Sequence, residues 1–410
     1  MFFFDTSTPL AHLKNPLFSR NKILTQNVCI DLNTSPSTLV LSSEEYRRDM
    51  VHANLLQAEA NFIVPDADGY LYAQTGDFLR QQGYNVQVLN LASPSQSASY
   101  NPLIYVHTER DIENIVTILM RQGLLRCSEK DYSYTTSLLA TVIGYAVSQC
   151  PKQRNLSYVY ELVQQLVDGA DVTPIVQKAE TLHGYVEQCA QQVRNFDANE
   201  LHMYANNASI VLHLLNIPEV SSLLSENQIN LTIFDQPKQA LFIVYKPVDD
   251  SLHFVMQILY TQLGRILLAQ MKWFCSERNM FFVPEHTYTQ DHVLDELMDN
   301  GVDVTLLYSN MSQVLVDYQH TLDKHFASFV IKTPIQDAST SILVANQEHK
   351  YLKSDRRAMK AFKRAQNGRT EPIQHRFTKN HIVLVAFNPI YEDDAYNPHM
   401  HPNCVTKEDI

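Results

Sequence analysis

Ten glycines in 410 residues, with no two closer than seven positions apart, constrain this chain more than any other feature. Soluble proteins average about 7% glycine. A loop that cradles phosphate needs glycines so that consecutive backbone N–H groups can turn toward the anion. The sequence contains no G-x-G-x-x-G, no G-x-x-x-x-G-K-[ST] and no G-x-S-x-G. Dinucleotide-binding loops, ordinary P-loops and hydrolase nucleophile elbows are therefore excluded. The length still allows a large core that needs no disulfide or metal, and 45% hydrophobic against 19% charged residues is a globular balance.

The net charge is −12, which argues against a general nucleic-acid surface. It is unevenly spread: residues 346–381 carry ten Lys/Arg and three Asp/Glu, a local +7 that leaves −19 on the rest. The six cysteines are far apart and form no C-x-x-C, so reduced thiols in an intracellular setting are expected. The opening Met1-Phe2-Phe3-Phe4-Asp5 lacks a basic leader region, and no apolar run is long enough to span a bilayer.

Short apolar runs at 38–41, 62–64, 86–91, 240–245, 280–283, 304–308, 326–331 and 382–387 predict buried strands. Most lack alternation, which suits strands covered on both faces. Helical patterns at 45–60, 71–82, 251–277 and 291–300 fall between them. Strands alternating with helices predict an α/β fold with a mostly parallel sheet. The middle differs: from about 108 to 224 the periodicity is helical throughout, with apolar stripes such as Ile112, Ile115, Val116 and Leu119. The expected organisation is an arm at 1–24, one α/β domain from 25–108 and 228–403, an inserted all-α domain at 109–227, and a tail at 404–410.

Three of the predicted strands run into proline, at Pro65, Pro247 and Pro284. Proline cannot donate to a ladder, so each is expected to end its strand. Ligands of open α/β sheets bind beyond the carboxyl ends of the strands. That singles out Asp66, Asp68, Asp249, Asp250, Glu285 and Tyr308. The four aspartates suit a hard cation, but turn carboxylates beside a glycine are common without one. His399, His401 and Cys404 suit zinc but lack a fourth ligand. No metal and no cofactor is expected.

The chain resembles the TraG-type coupling proteins, the hexameric DNA-translocating ATPases of conjugative type IV secretion. The residues that carry this are Asn54-Leu55-Leu56-Gln57, Phe62-Ile63-Val64-Pro65-Asp66-Ala67-Asp68-Gly69, Thr75-Gly76, and Gly83-Tyr84-Asn85-Val86-Gln87-Val88-Leu89-Asn90-Leu91. Tyr100-Asn101-Pro102-Leu103, Ile258-Leu259-Tyr260-Thr261-Gln262-Leu263 and His401-Pro402-Asn403 extend it over roughly 25–403. The resemblance implies a RecA-like core with an inserted helical domain.

The departures from the family pattern concentrate where nucleotide would sit. The Walker A slot reads Ser42-Ser43-Glu44-Glu45-Tyr46-Arg47-Arg48, with no glycine and no Lys-Ser/Thr pair. Its two glutamates would repel triphosphate. The family's Asp-Pro-Lys-Gly turn appears as Asp66-Ala67-Asp68-Gly69. The Walker B Asp-Glu appears as Pro284-Glu285, and proline cannot help to hold Mg²⁺. The arginine-bearing segment reads Met298-Asp299-Asn300-Gly301, and the glutamine ending the next strand is Tyr308. Phosphoryl transfer rests on positioning and electrostatic stabilisation, so the resemblance implies a non-catalytic relative, with Glu285 as a remnant read as a solvated carboxylate at a strand end. A scaffold, adaptor or regulator in DNA or protein transfer is expected, alongside an active coupling ATPase, a relaxase or other secretion subunits. Since the sequence carries no membrane anchor of the family's kind, a cytoplasmic place is expected, docked at the inner face of the membrane through partners.

The alternatives are an NTPase with an unorthodox site and a non-hydrolysing nucleic-acid-binding module using 346–381. Within that segment, 354–368 reads as a helix capped by Ser354 and ended by Gly368. Arg356, Arg357, Lys360, Lys363 and Arg364 surround a narrow apolar edge. A solvated surface helix is the plain reading; an acidic partner, a second copy of this chain or single-stranded DNA are the partners its charge would suit.

Overall fold

The computed structural model describes residues 44–58, 60–123, 128–249, 251–271, 279–285, 291–300 and 302–309, with 287, 313, 314 and 318 and five short strands: β1 (Leu17–Ser19), β2 (Lys22–Ile23), β3 (Thr38–Leu41), β9 (Phe329–Lys332) and β10 (Val383–Val385). The remaining strands are β4 (Asn61–Ala67), β5 (Asn85–Asn90), β6 (Gln239–Tyr245), β7 (Asn279–Pro284) and β8 (Asp303–Tyr308). β1 and β2 pair antiparallel. The other eight form one sheet in the order β10-β9-β3-β8-β7-β4-β6-β5. The neighbours from β10 to β6 run parallel.

The apolar runs become the central strands because both faces are covered. Phe62, Ile63, Leu241, Phe242, Ile243, Phe281, Phe282, Val283, Val304 and Leu306 are all buried. β3 and β4 are consecutive in the chain, yet β8 and β7 lie between them in the sheet. Two helices join the early strands, α1 (Glu44–Gln57) and α2 (Tyr70–Gln81), and two the later ones, α10 (His253–Met271) and α11 (Asp291–Asp299).

Pro65 does not end its strand as expected. β4 continues to Ala67, with Pro65 opposite Ile243 of β6. The reason lies in the other neighbour, since β4 pairs with β7 only from Asn61 to Ile63. Asp68 N–H still reaches Tyr245 O at 2.9 Å, so the amides of Asp66 and Val64 face β6 as well. The Pro65 nitrogen then faces the side from which β7 has already parted, where no ladder donor is needed. β6 does end at Tyr245, two residues before Pro247, and β7 at Pro284 itself.

The contacts divide the chain into two compact units: Met1–Gln87, Leu231–Tyr245 and Gly264–Ile410 in one, Val88–Asn230 and Lys246–Leu263 in the other. The second unit holds α3 (Glu109–Gly123), α4 (Glu129–Val147), α5 (Leu156–Val167), α6 (Thr173–Ala179), α7 (Gly184–Arg194), α8 (Ala198–Val211) and α9 (Pro218–Leu223). Among the described residues between 91 and 238 there is no strand. Side-chain caps start several of these helices: Ser128 for α4, Asn155 for α5, and a reciprocal Asp197–Glu200 box for α8. α4 and α7 approach closely at Gly144, where an added Cβ would lie 2.5 Å from Val186 Cγ1. The same unit ties its first segment to Lys246–Leu263: the Tyr100 hydroxyl donates to Gln262 Oε1 at 2.6 Å, and Gln262 Nε2 donates to Pro102 O at 2.8 Å.

Candidate functional site

The carboxyl ends of β3, β7 and β8 lie level with one another, because Leu41 is opposite Tyr308 and Pro284 opposite Leu307. β3 ends at Leu41 and α1 begins at Glu44, so two residues connect them. Those two, Ser42 and Ser43, lie outside the described residues. Glu44 and Glu45 open α1 and are exposed, where negative charge favours the helix N-terminus.

Arg47, in the first turn and a half of α1, crosses to the end of β7. Its Nη2 lies 3.1 Å from Glu285 Oε1, with the side chains 11% and 23% exposed. The other carboxylate oxygen of Glu285 accepts from Ser309 N–H at 3.0 Å and Ser309 Oγ at 2.6 Å. The Glu285 amide donates to Leu307 O at 3.0 Å. Burial pushes the Glu285 carboxyl up, but the Arg47 charge and the Ser309 hydrogen bonds outweigh it, and the group sits below its ordinary value. Glu285 is therefore not the solvated carboxylate that its place after a proline suggested. It is an ionised, ion-paired group with donors on both oxygens.

Asp66 is fully buried, and its two oxygens accept from Leu71 N–H and Tyr72 N–H, both at 2.8 Å. It thereby caps α2, whose own N-cap, Gly69, offers no side chain. Burial pushes the Asp66 carboxyl up to about 6, against the pull of the two amides. Asp68 is exposed and holds a positive φ of 58°, followed by Gly69 at 78°. Aspartate tolerates this left-handed turn and glycine favours it. Burial likewise pushes the Tyr245 hydroxyl up; Arg47 opposes this, and Glu44, Glu285 and Asp66 add to it.

Tyr308 is a core residue rather than a crevice residue. It is fully buried, and its ring meets Tyr318 edge-on with centroids 6.3 Å apart. Pro284 is the buried last residue of β7. Asp249 is exposed, and its carboxylate accepts from the amide and hydroxyl of Ser251. Asp250, the basic positions Arg356, Arg357, Lys360, Lys363 and Arg364, and the His399, His401 and Cys404 set lie outside the described residues. Among the described residues no three His, Cys, Asp or Glu side chains gather as a metal site, and no helix is long and apolar enough to cross a membrane.

Sequence reasoning missed Arg47 and Ser309. Ser309 had only a weak signal, its place just past the end of the predicted strand at 304–308, since the register that brings it near Glu285 is set by the fold. Arg47 had none, since its partner is 238 positions away.

The family profile described as Type IV secretory system Conjugative DNA transfer matches residues 49–288. Among solved structures, the plasmid coupling protein TrwB in complex with the non-hydrolysable ATP analogue ADPNP is similar at a TM-score of 0.53 and 13% identity, over 78% of this chain and 76% of that one. TrwB in complex with ADP and Mg²⁺ is similar at 0.51 and 14%, over 75% and 71%. At such identities the likeness establishes the fold, a RecA-like parallel sheet flanked by helices. A search of curated proteins found no match. With more than half of its length matched by the profile, the chain belongs to the conjugative DNA-transfer family of type IV secretory systems.

Proposed function

We propose that this chain is a non-catalytic member of its family, a scaffold, adaptor or regulator of type IV transfer that works beside an active coupling ATPase. One observation carries the reading: two residues connect β3 to α1. That is where the family resemblance puts the phosphate-binding loop, and a two-residue, glycine-free connection is too short to wrap a triphosphate. The neighbouring charges agree. Glu44 and Glu45 face an incoming phosphate with like charge, and Arg47 already pairs with Glu285. Pro284 stands where a metal-holding carboxylate is required. Glu285, held below its ordinary range, is shifted away from the near-neutral pKa that favours a general base. Mg-nucleotide therefore does not fit the residues present.

The test is thermal unfolding with and without millimolar Mg-ATP, together with a phosphate-release assay. No rise in melting temperature and no turnover are expected. A rise of several degrees would show ligand bound to the folded state. Turnover abolished by Glu285→Gln would overturn the reading in favour of an unorthodox NTPase.

The contact with partners is assigned to the basic segment 354–368, in a chain taken to be cytoplasmic and docked at the inner face of the membrane through its partners, with 109–227 as its helical insertion. Reversing Arg356, Arg357, Lys360 and Lys363 to Glu should change stability by less than about 0.5 kcal/mol. The same change should slow association with an acidic protein, most at low salt. Competition by a short single-stranded oligonucleotide would transfer the segment to nucleic-acid binding. Unchanged capture of a coupling ATPase by the reversed variant would make it a solvated face.

A further inference from the structure

α1, the end of β7 and the end of β8 belong to three separate stretches of chain, yet one carboxylate joins them. Glu285 accepts from Arg47 on one oxygen and from Ser309 on the other, while its own amide is fixed to Leu307 O. Arg47 and Glu285 are mostly withdrawn from water, so their attraction is screened less than that of a surface pair. The bridge rests on a single arginine N–H: Nη2 reaches Glu285, and the buried Nη1 has no hydrogen-bond partner among the described residues.

We infer that Arg47, Glu285 and Ser309 form a built-in tie, which holds the start of α1 against the ends of β7 and β8 with no ligand between them. The inference rests on the non-catalytic reading, because it gives Arg47 a structural task. An ammonium group can replace the single N–H···O contact, whereas a thioether of similar length cannot. Arg47→Lys should thus keep the tie and Arg47→Met should lose it.

Amide hydrogen exchange on the full chain, without nucleotide, reads this directly. In Arg47→Met the amides of Ser309 and Glu285 should exchange at least tenfold faster than in the parent. Those of Ile63 and Leu241, inside the β4–β6 ladder, should keep their rates. Arg47→Lys should restore most of the protection. Unchanged rates at Ser309 and Glu285 in Arg47→Met would overturn the tie. So would equal acceleration throughout the sheet, or a lysine variant that behaves like methionine. If Arg47→Met does not fold, Glu285→Asp shortens the same bridge and should open the same two amides; failure of both to fold would count against a local tie. A separate arm adds Mg-ATP to the parent protein. Protection gained there would defeat the non-catalytic reading, while the tie is still judged by the nucleotide-free arms.

Discussion

The two edges of the same sheet are fastened by different chemistry. At the amino edge, buried Asn61 donates through Nδ2 to Phe234 O at 3.1 Å, Gln236 O at 2.9 Å and Asn279 Oδ1 at 3.2 Å, while its Oδ1 accepts from Gln239 N–H at 2.8 Å. One neutral amide thus joins the starts of β4, β6 and β7. At the carboxyl edge a charged pair, Arg47 with Glu285, joins α1 to the ends of β7 and β8. The neutral knot centres on a side chain that is 2% exposed and carries no charge. The ionic tie is partly wet and depends on pH and on the presence of both partners. In an open α/β sheet the carboxyl edge is where ligands bind, and here an internal ion pair occupies that edge.

Breaking the amino edge should have the larger effect. Asn61→Leu matches the side chain in size but strands the Gln239 amide and the Phe234 carbonyl in the interior, while the Gln236 carbonyl stays partly open to water. At about 1–3 kcal/mol for each buried group left unsatisfied, a loss of about 4 kcal/mol is expected from urea unfolding, nearly constant from pH 5 to 8. A loss below about 1 kcal/mol would mean that water replaces the amide. Glu285→Gln should come next. Removing one partner of a fully buried pair costs about 3–5 kcal/mol, and the residual exposure of this one lowers the expectation to about 2 kcal/mol. Since the folded state holds Glu285 below its ordinary value, its stabilisation is present above the unfolded pKa and is lost as pH falls through the folded one. The difference between parent and variant should therefore shrink below about pH 4.5. A pH-independent difference would show that the carboxylate acts by shape rather than by charge.

How much of this was legible in the sequence follows from the range of the interactions. Phe281, Phe282 and Val283, or Leu241, Phe242 and Ile243, announce a doubly covered strand because burial on both faces is a local demand on residue type. Asp66 was singled out as a residue beyond a strand end, but it lies inside β4, one position before its last residue. Its task was not legible, because the two amides that it caps become available only when α2 starts at Tyr70. Pro65 misled for a related reason: a proline's tolerance in a strand depends on where the neighbouring strand departs, and β7 departs at Ile63. The Arg47–Glu285 pair spans 238 positions and leaves no periodic trace in either segment.

The smallest net effect is expected at Asp66, and it sharpens the contrast between the edges. Asp66 lies at the carboxyl edge but works as a cap in a dry setting, as a neutral group would. Its pKa is raised from 3.8 to about 6 by burial, so the folded state binds protons more tightly than the unfolded chain. The stability that this brings is fully present below about pH 4 and is lost as pH rises to about 6, the opposite sense to Glu285. Two pKa units correspond to about 3 kcal/mol. Asp66→Asn removes that slope while keeping one of the two acceptors. At pH 4 the variant should be less stable than the parent by about 1–2 kcal/mol, for the amide left without its acceptor. At pH 7 the parent carries the full burden of a buried charge, so the two should agree within about 1 kcal/mol. Chemical unfolding at pH 4, 5.5 and 7 measures the crossing. Parallel profiles for parent and variant would mean that Asp66 titrates at its ordinary value and that the cap is wet.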